Sequence, residues 1–209
     1  MKRLPGLLPS ETVRRWLAAL ATEGETARPL TELPLAAGEV LGTVARSASA
    51  PQLEAALGPA PWCNLSQSWL RHGRPPHHWH QDGALRFDFL AHAGRPAPAD
   101  ALLELRTLWI ALTPCGEDAP SLAWLDTPTP TLLSPDELTE AAVLQRFGAA
   151  AQQHAVLQAG DALLFDGTLL HRTHLTPAMH RPRLSLELRF FRAAEPQPRV
   201  AGDAGARWT

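Results

Sequence analysis

Apolar residues recur with the period of a helix near the start of the chain. Ser10 precedes four of them at the spacing i, i+3, i+4 and i+7, namely Val13, Trp16, Leu17 and Leu20. This spacing puts the four on one face of a helix that Ser10 caps, and that face is predicted to pack on the outside of a sheet. Residues 51–57 predict a short second helix, whereas residues 24–50 show no clear period.

Later segments alternate in the manner of β-strands and are separated by glycine and proline. Residues 62–70 alternate well enough for a strand, which Gly73, Pro75 and Pro76 then interrupt. Further strands are predicted at residues 105–113, 121–125, around 155, 161–165 and 183–191. Many short strands with proline-rich turns and few helices favour a mainly β fold, a double-sheet jelly roll with flanking α-helices.

Capping residues predict one more helix in the second half of the chain. Ser134-Pro135-Asp136-Glu137 forms a capping box with proline at the first helical position, and its flanking residues Leu133 and Leu138 would form the hydrophobic staple. The helix is predicted to run to about Phe147 and to end at Gly148. Residues 91–100 predict a loop, which is either a lid over a substrate pocket or a plain surface loop.

The last predicted strand separates polar from apolar residues along its whole length. Its polar residues are Arg183, Ser185, Glu187 and Arg189, and these alternate with Leu184, Leu186, Leu188 and Phe190. The apolar set is predicted to pack under a helix while the polar set faces the interior of the barrel. A strand with a solvated outer face would show the same alternation, so the pattern leaves both arrangements open.

Composition limits the classes of partner and compartment. A length of 209 residues predicts one domain over residues 1–209, with the jelly-roll core at roughly 62–192 and the N-terminal helices outside it. The net charge of −2 gives no electrostatic reason for binding nucleic acid or an anionic membrane. Cys63 and Cys115 do not make a disulfide framework, and no apolar segment is long enough for a signal peptide or a membrane span. We therefore expect a cytoplasmic protein that is a monomer or a homodimer.

Candidate metal ligands occur in the segment 79–83, Trp-His-Gln-Asp-Gly, and at His171. On a strand, His80 and Asp82 point to the same side and offer an imidazole nitrogen and a carboxylate oxygen to one point. His171 would complete a 2-His-1-carboxylate set, which is typical of non-haem Fe(II) oxygenases with open coordination positions. The structural alternatives are a turn cap for Asp82 and a buried core histidine for His171. His174, the nearest rival ligand, would lie on the other face of the strand.

Two segments flank His171 in a recognisable order. Gly160-Asp161-Ala162-Leu163-Leu164-Phe165 leads into it, and Arg181-Pro182-Arg183 opens the strand that follows. Together these segments resemble the phytanoyl-CoA dioxygenase family of Fe(II)- and 2-oxoglutarate-dependent enzymes, over roughly Trp62 to Phe191. The resemblance implies a double-stranded β-helix whose mouth holds Fe(II) through His80, Asp82 and His171, with 2-oxoglutarate and O₂ as co-substrates.

The resemblance also implies which residues bind 2-oxoglutarate. Arg183 is expected to bind its C5 carboxylate, because a planar guanidinium can form two parallel hydrogen bonds with a carboxylate. Arg181 is the alternative, since the two arginines lie ten and twelve residues after His171. Thr173 is expected to bind the same carboxylate, with a surface hydroxyl as the alternative, and Trp109 to pack along the co-substrate, with core packing as the alternative. Gln67, on the strand before the His80 segment, is a further expected co-substrate contact.

The sequence thus predicts an Fe(II)- and 2-oxoglutarate-dependent dioxygenase that hydroxylates a small-molecule metabolite with release of succinate and CO₂. A carboxylate at Asp82 argues against halogenation, because halogenating relatives have a small residue at that position. The alternatives are a jelly-roll hydrolase or isomerase with another divalent metal, and a non-catalytic binding protein. His77 and His78 either assist metal or substrate binding or are solvated loop residues. Three arginines have two possible positions, at the mouth of the barrel or on the surface: Arg71, Arg86 and Arg106. A position at the mouth would favour an acidic or zwitterionic substrate.

Overall fold

Helices cover the N-terminal part of the chain, and one more lies in its second half. The computed structural model describes residues 1–20, 24, 26–58, 61–83, 105–191 and 205–207. The α-helices within these residues are α1 (Ser10–Leu20), α2 (Ala37–Ala45), α3 (Ala50–Leu57) and α4 (Glu140–Phe147). Short 3-10 turns occur at Leu30–Glu32, Pro135–Leu138 and Ala149–Ala151. The helix predicted after Ser10 is confirmed, and α1 buries Val13, Trp16 and Leu20 as its apolar period requires.

Antiparallel strands form two sheets. The strands are β1 (Lys2–Leu4), β2 (Thr26–Pro29), β3 (Trp62–Gly73), β4 (Leu105–Ala111), β5 (Ser121–Leu125), β6 (Gln152–His154), β7 (Ala162–Asp166), β8 (His171–His174), β9 (Arg183–Phe191) and β10 (Gly205–Arg207). The larger sheet has the order β1-β7-β4-β9-β3-β10, with β2 also paired to β3. The smaller sheet has the order β6-β5-β8.

Strand β9 lies in the middle of the larger sheet, between β4 and β3. Its apolar residues Leu184, Leu186, Leu188 and Phe190 belong to one buried core with residues of α1, α2 and α3. Its polar residues are buried as well, on the opposite face between the two sheets. The polar face therefore points into the barrel, as predicted, and is not a solvated outer face. Burying each leucine contributes about 2 kcal/mol, which helps to offset the cost of burying charged groups on the other face.

A second apolar cluster joins the two sheets. Trp109 of β4 and Leu163 and Phe165 of β7 pack with Leu122 of β5. Because side chains alternate along each strand, neighbouring residues such as Leu108 and Leu164 instead enter the core under the helices. The space between the sheets is therefore apolar at one end and polar where β9 faces it.

The helix predicted from Ser134 is divided into two pieces, so its predicted continuity is wrong. The capping box is present, but it caps only the single 3-10 turn Pro135–Leu138. Thr139 has an extended backbone and accepts a hydrogen bond from Ala142 N at 3.2 Å, so it caps α4 separately. A threonine hydroxyl competes for backbone N–H groups in this way, which favours a new helix start over a continuous helix. The predicted end at Gly148 is confirmed, with φ +76°.

Residues 24–50 contain β2 and α2, which the sequence pattern did not predict. Helix α2 includes Gly38 and Gly42, which lower intrinsic helix propensity, and it forms where Val40, Leu41 and Val44 are buried. Cys63 and Cys115 are buried free thiols, and burial raises the pKa of each to about 12. No helix in the described ranges has both the length and the apolar character that crossing a membrane requires. The loop predicted at 91–100 and Arg86 lie outside the described residues.

Candidate functional site

Three side chains that can bind a metal ion converge between the two sheets. His171 begins β8, and His80 pairs with it as an isolated antiparallel bridge. Asp82 Oδ1 lies 3.7 Å from His80 Nε2 and 3.8 Å from His171 Nε2. The ligand atoms of all three residues lie within 4.8 Å of one another. These distances exceed those of hydrogen bonds and are compatible with one ion contacting all three groups.

Both imidazoles are oriented by their other ring nitrogen. His80 Nδ1 lies 2.7 Å from the carbonyl oxygen of His78, and His171 Nδ1 lies 3.0 Å from that of Leu169. A carbonyl oxygen can only accept, so each Nδ1 carries the proton and each Nε2 presents its lone pair to the centre. Burial, followed by the proximity of His80, lowers the pKa of His171 to about 4. His171 is therefore neutral at physiological pH, which is the form that binds metal ions.

Asp82 is held in place through both of its oxygens. Oδ2 accepts a hydrogen bond from Thr107 Oγ1 at 2.5 Å, and Oδ1 accepts one from Arg189 Nη2 at 3.2 Å. Burial alone would raise the pKa of this carboxyl, but Arg189, the two histidines and Thr107 outweigh it and lower the pKa below its usual value. Asp82 is therefore an ionised, oriented carboxylate although it is only 1% exposed.

A chain of alternating charges continues from Asp82 through other residues that line the cavity. Arg189 Nη2 also lies 3.4 Å from Glu187 Oε2, and Arg71 Nε donates to Glu187 Oε1 at 2.8 Å. Arg71 Nη1 lies 3.1 Å from His77 Nε2. Burial would raise the pKa of Glu187, but Arg71 and Arg189 lower it. The alternation of charge stabilises groups that would be costly to bury singly.

Arg183 is buried without a matching anion among the described residues. Its side chain is 3% exposed, and its Nε and Nη1 have no hydrogen-bond partner in the described part of the chain. Trp109 lies beside it, with its ring centroid 6.0 Å from Arg183 Cζ, and Trp109 Nε1 is also without a partner among those residues. Burial lowers the pKa of Arg183, with Glu187 opposing. Unpaired donors at this depth are expensive unless a ligand accepts their hydrogen bonds.

Thr173 lies two residues beyond His171 on the same face of β8. Its Oγ1 accepts a hydrogen bond from His77 N at 3.0 Å, and its own backbone N–H donates to the His77 carbonyl at 3.0 Å. The hydroxyl proton of Thr173 therefore remains available to donate to a third group. Thr173 is 4% exposed, so that group has to lie within the cavity.

One cavity connects these residues. Of the predicted site residues, it is lined by His80, Asp82, His171, Thr173, Arg183 and Trp109. The lining also includes Arg71, His77, Thr107, Phe165, Glu187 and Arg189. The alternation of polar and apolar residues along β9 predicts that its polar residues face the interior. No signal in the sequence identifies the partners of those polar residues. Arg71 and His77 also line the cavity, although the sequence left a surface or loop position open for each.

Three residues considered from the sequence lie elsewhere. Gln67 does not line the cavity, because the register of β3 and β9 shifts between Asn64 and Trp69; its backbone carbonyl there accepts from Arg189 Nη1. Arg181 is exposed, and its Nη1 lies 3.3 Å from Asp118 Oδ2. His174 stacks on His154 with ring centroids 4.4 Å apart and is not part of the lining. The co-substrate contact expected for Gln67 stays a prediction.

The chemistry of the donors fits a divalent metal ion with open positions. Two neutral imidazoles and one carboxylate are the ligand types of non-haem iron sites, whereas closed structural zinc sites usually have four ligands including thiolates. Cys63 and Cys115 are protonated, buried thiols and belong to no group of metal ligands in the described residues. The unpaired guanidinium of Arg183 adds a position for an anion in the same cavity.

Solved structures of several proteins have a similar fold. The non-heme alpha ketoglutarate dependent epimerase SnoN from nogalamycin biosynthesis is 19% identical, with a TM-score of 0.58 over 90% of this chain and 77% of that one. The carbocyclase SnoK from the same biosynthesis is 17% identical, with a TM-score of 0.60 over 90% and 78%. HygX from Streptomyces hygroscopicus is 16% identical, with a TM-score of 0.60 over 90% and 80%.

Ligands are present in two of these proteins. SnoN has been solved with Fe3+, alpha ketoglutarate and nogalamycin RO, and HygX with nickel and 2-oxoglutarate. No family model matches the present sequence, and no curated protein matches it. At such low identities the similarity concerns the fold. The predicted fold class, mainly antiparallel β with flanking helices, is confirmed: the chain has the jelly-roll fold of these non-haem enzymes.

Proposed function

We propose that this protein is an Fe(II)- and 2-oxoglutarate-dependent oxygenase that hydroxylates a small molecule. One observation carries the proposal: the ligand set His80, Asp82 and His171 shares a buried cavity with Arg183, whose guanidinium has no anionic partner among the described residues. A metal ion accounts for the first group and a carboxylate ligand for the second. SnoN and HygX, which have this fold, bind a metal ion together with 2-oxoglutarate.

Each protein group has a defined part in holding the cofactors. His80 and His171 direct Nε2 towards the metal position, because each Nδ1 lies against a backbone carbonyl, and Asp82 adds an ionised carboxylate. Burial lowers the pKa of His171 to about 4, so this imidazole binds the metal without losing a proton at neutral pH. When bound, Fe(II) and 2-oxoglutarate supply O₂ activation coupled to decarboxylation of the keto acid to succinate and CO₂. The Phe165 ring, 4.8 Å from the His171 ring, excludes water from one side of the site.

The distal carboxylate of 2-oxoglutarate is placed on Arg183 and Thr173. A guanidinium forms two parallel hydrogen bonds with a carboxylate, and the free hydroxyl proton of Thr173 supplies a third. The indole of Trp109 packs beside the same position. Arg181 is not proposed for this role, because it is exposed beside Asp118.

The balance of charge also supports a divalent cation together with a dianion. Among the described residues the cavity lining carries three arginines and two carboxylates, Asp82 and Glu187, an excess of one positive charge. A divalent ion alone would raise this excess of positive charge. 2-Oxoglutarate, with two negative charges, would return the excess to one. The two ligands should therefore bind cooperatively, since each lowers the electrostatic cost of the other.

Calorimetric titration of the metal-free protein under anaerobic conditions tests the proposal. Ni(II) or Fe(II) should bind, and 2-oxoglutarate should bind about tenfold or more tightly with metal than without it. Candidate metabolites are then screened for succinate release in air with Fe(II), and products are checked by mass spectrometry for one added oxygen. A hydrolase or isomerase with another metal would show turnover with Zn(II) and no succinate. Absence of metal binding, or metal binding that Asp82→Ala leaves unchanged, would overturn the proposal.

A further inference from the structure

Three residues beside His80 and His171 turn to the same side of the molecule. Trp79 precedes His80, while Leu170 and Arg172 flank His171. Side chains alternate along extended backbone, so these neighbours point away from the cavity that the histidines face. On that far side lies α4. One helix therefore covers the back of both ligand-bearing segments.

Glu140, the first residue of α4, contacts both segments through one oxygen. Trp79 Nε1 donates a hydrogen bond to Glu140 Oε2 at 2.8 Å, and Arg172 Nη1 lies 3.4 Å from the same atom. Arg172 also stacks on Trp79, with Cζ 5.0 Å from the ring centroid. Beneath this polar contact, Val143 of α4 belongs to one buried cluster with Trp79 and Leu170.

The backbone pairing at this point is short. His80 and His171 exchange two hydrogen bonds, at 2.9 and 3.0 Å, and Thr173 N adds one to the His77 carbonyl. Residues 77–80 thus lie beside β8 at the edge of the smaller sheet, where few backbone hydrogen bonds to other described residues hold them. Short edge pairings open locally at little free-energy cost unless side chains hold them.

We propose that Glu140 is a positioning residue that keeps the imidazoles of His80 and His171 at metal-binding distance. The inference rests on the proposed function in so far as these histidines bind metal. Trp79 is only 3% exposed, so loss of the carboxylate leaves a buried indole N–H without its partner and loosens the residue that directly precedes His80. The ion pair with Arg172 alone would contribute little, because the Glu140 side chain is 49% exposed.

The N-terminal cap of α4 determines the position of the Glu140 carboxylate. The Thr139 hydroxyl accepts from Ala142 N and so defines where the helix begins, which puts Glu140 in its first turn. A carboxylate is favoured there by the positive end of the helix dipole. The cap therefore positions Glu140, and Glu140 in turn positions the segments that carry His80 and His171.

Two measurements on Glu140→Ala test this role, one of which needs no metal. In the metal-free protein, hydrogen exchange at the backbone amides of His80 and His171 should accelerate about tenfold, because their pairing opens more often. In calorimetric titrations, the affinity for Ni(II) should fall about tenfold, as for other residues that orient metal ligands. Glu140→Gln keeps an acceptor for the indole and should restore most of both values.

Glu137→Ala is the matched control. Glu137 lies three residues earlier, is exposed and pairs with Arg146 and Ser134, but has no contact with Trp79 or Arg172. It should lower thermal stability through loss of the capping box and leave the exchange rates and the Ni(II) affinity unchanged. An equal loss of affinity in this control, or wild-type exchange and affinity in Glu140→Ala, would overturn the role. If the wild-type protein bound no metal, the proposed function would fail, and the exchange rates would still decide whether Glu140 holds the pairing.

Discussion

Backbone hydrogen bonds pair His80 with His171 directly, independently of any metal ion. His80 N–H donates to the His171 carbonyl at 2.9 Å, and His171 N–H donates to the His80 carbonyl at 3.0 Å. In such a mutually bonded antiparallel pair the two residues lie directly opposite each other, with side chains on the same face. The ring centroids are accordingly 4.2 Å apart. Strand pairing therefore sets the distance between two candidate ligands that are far apart in the sequence.

His171→Ala is expected to reduce the affinity for Ni(II) or Fe(II) by about 100-fold or more, because it removes a ligand and not merely a residue that orients one. His174→Ala is the control on the same strand, since His174 faces away and stacks on His154. Anaerobic calorimetry of both variants measures the difference. Equal losses in the two variants would contradict the assignment of His171 as a ligand.

Arg183→Gln is expected to weaken 2-oxoglutarate binding by about 2–3 kcal/mol, or roughly 30- to 150-fold, because it removes charge-assisted hydrogen bonds. Metal affinity in the absence of 2-oxoglutarate should not fall. Arg181→Gln, which removes an exposed arginine paired with Asp118, should leave both affinities at the wild-type value. Titration of each nickel-loaded variant with 2-oxoglutarate distinguishes the two arginines, and a larger loss in Arg181→Gln would reverse the assignment.

Arg183→Met is expected to stabilise the metal-free protein while it abolishes tight 2-oxoglutarate binding. Removal of a buried guanidinium that lacks hydrogen-bond partners among the described residues should raise the free energy of unfolding by about 1–2 kcal/mol. Urea denaturation of wild type and variant measures this difference. Marked destabilisation would mean that Arg183 has a structural partner and is not kept for a ligand.

Asp161→Asn is expected to lower the free energy of unfolding by about 2 kcal/mol at pH 7. Its carboxylate accepts hydrogen bonds from Gly6 N at 2.9 Å and Gln158 N at 3.1 Å and pairs with Arg3 at 2.9 Å, so it attaches β1 to the turn before β7. Burial would raise the pKa of Asp161, but these hydrogen bonds lower it below 3.8. A lowered pKa stabilises the folded protein above the unfolded-state value and ceases to do so as the pH falls through the folded-state value.

The difference between wild type and Asp161→Asn should therefore be constant from pH 7 to about 5 and shrink below about pH 4. Urea denaturation at several pH values measures this dependence. If the difference in the free energy of unfolding stayed constant into the acid range, the effect of Asp161→Asn would come from packing and not from loss of the charge.

The directions of side chains that follow from local periodicity were predictable from the sequence. Alternation along β9 identified both its core face and its interior polar face, and the spacing of His80 and Asp82 put two candidate ligands on one side of the chain. Helix α2 was not predictable in this way, because its glycines hide the period and its stability comes from burial against the sheet. The break at Thr139 was missed because two valid caps follow one another, and local rules do not decide which one begins the longer helix.

The partners of Arg71, Glu187 and Arg189 show a second limit. Each is charged, and a charged residue is usually exposed unless a partner is available, but partners on other strands are not visible in the sequence. Gln67 lies apart from the cavity lining for a different reason. A two-residue period along β3 would align it with the site, but the irregularity between Asn64 and Trp69 shifts the register and leaves only its backbone carbonyl near Arg189.

The sequence by itself determined which residue types were available for chemistry and which faces of the strands they occupied, because side-chain direction along a strand depends only on local backbone geometry. Only the tertiary structure decided that Arg183 and not Arg181 enters the cavity, that Asp82 is held by Arg189 and Thr107, and that Glu140 contacts both ligand segments. These outcomes depend on the register between strands and on which helix covers them, and burial of the whole core determines both.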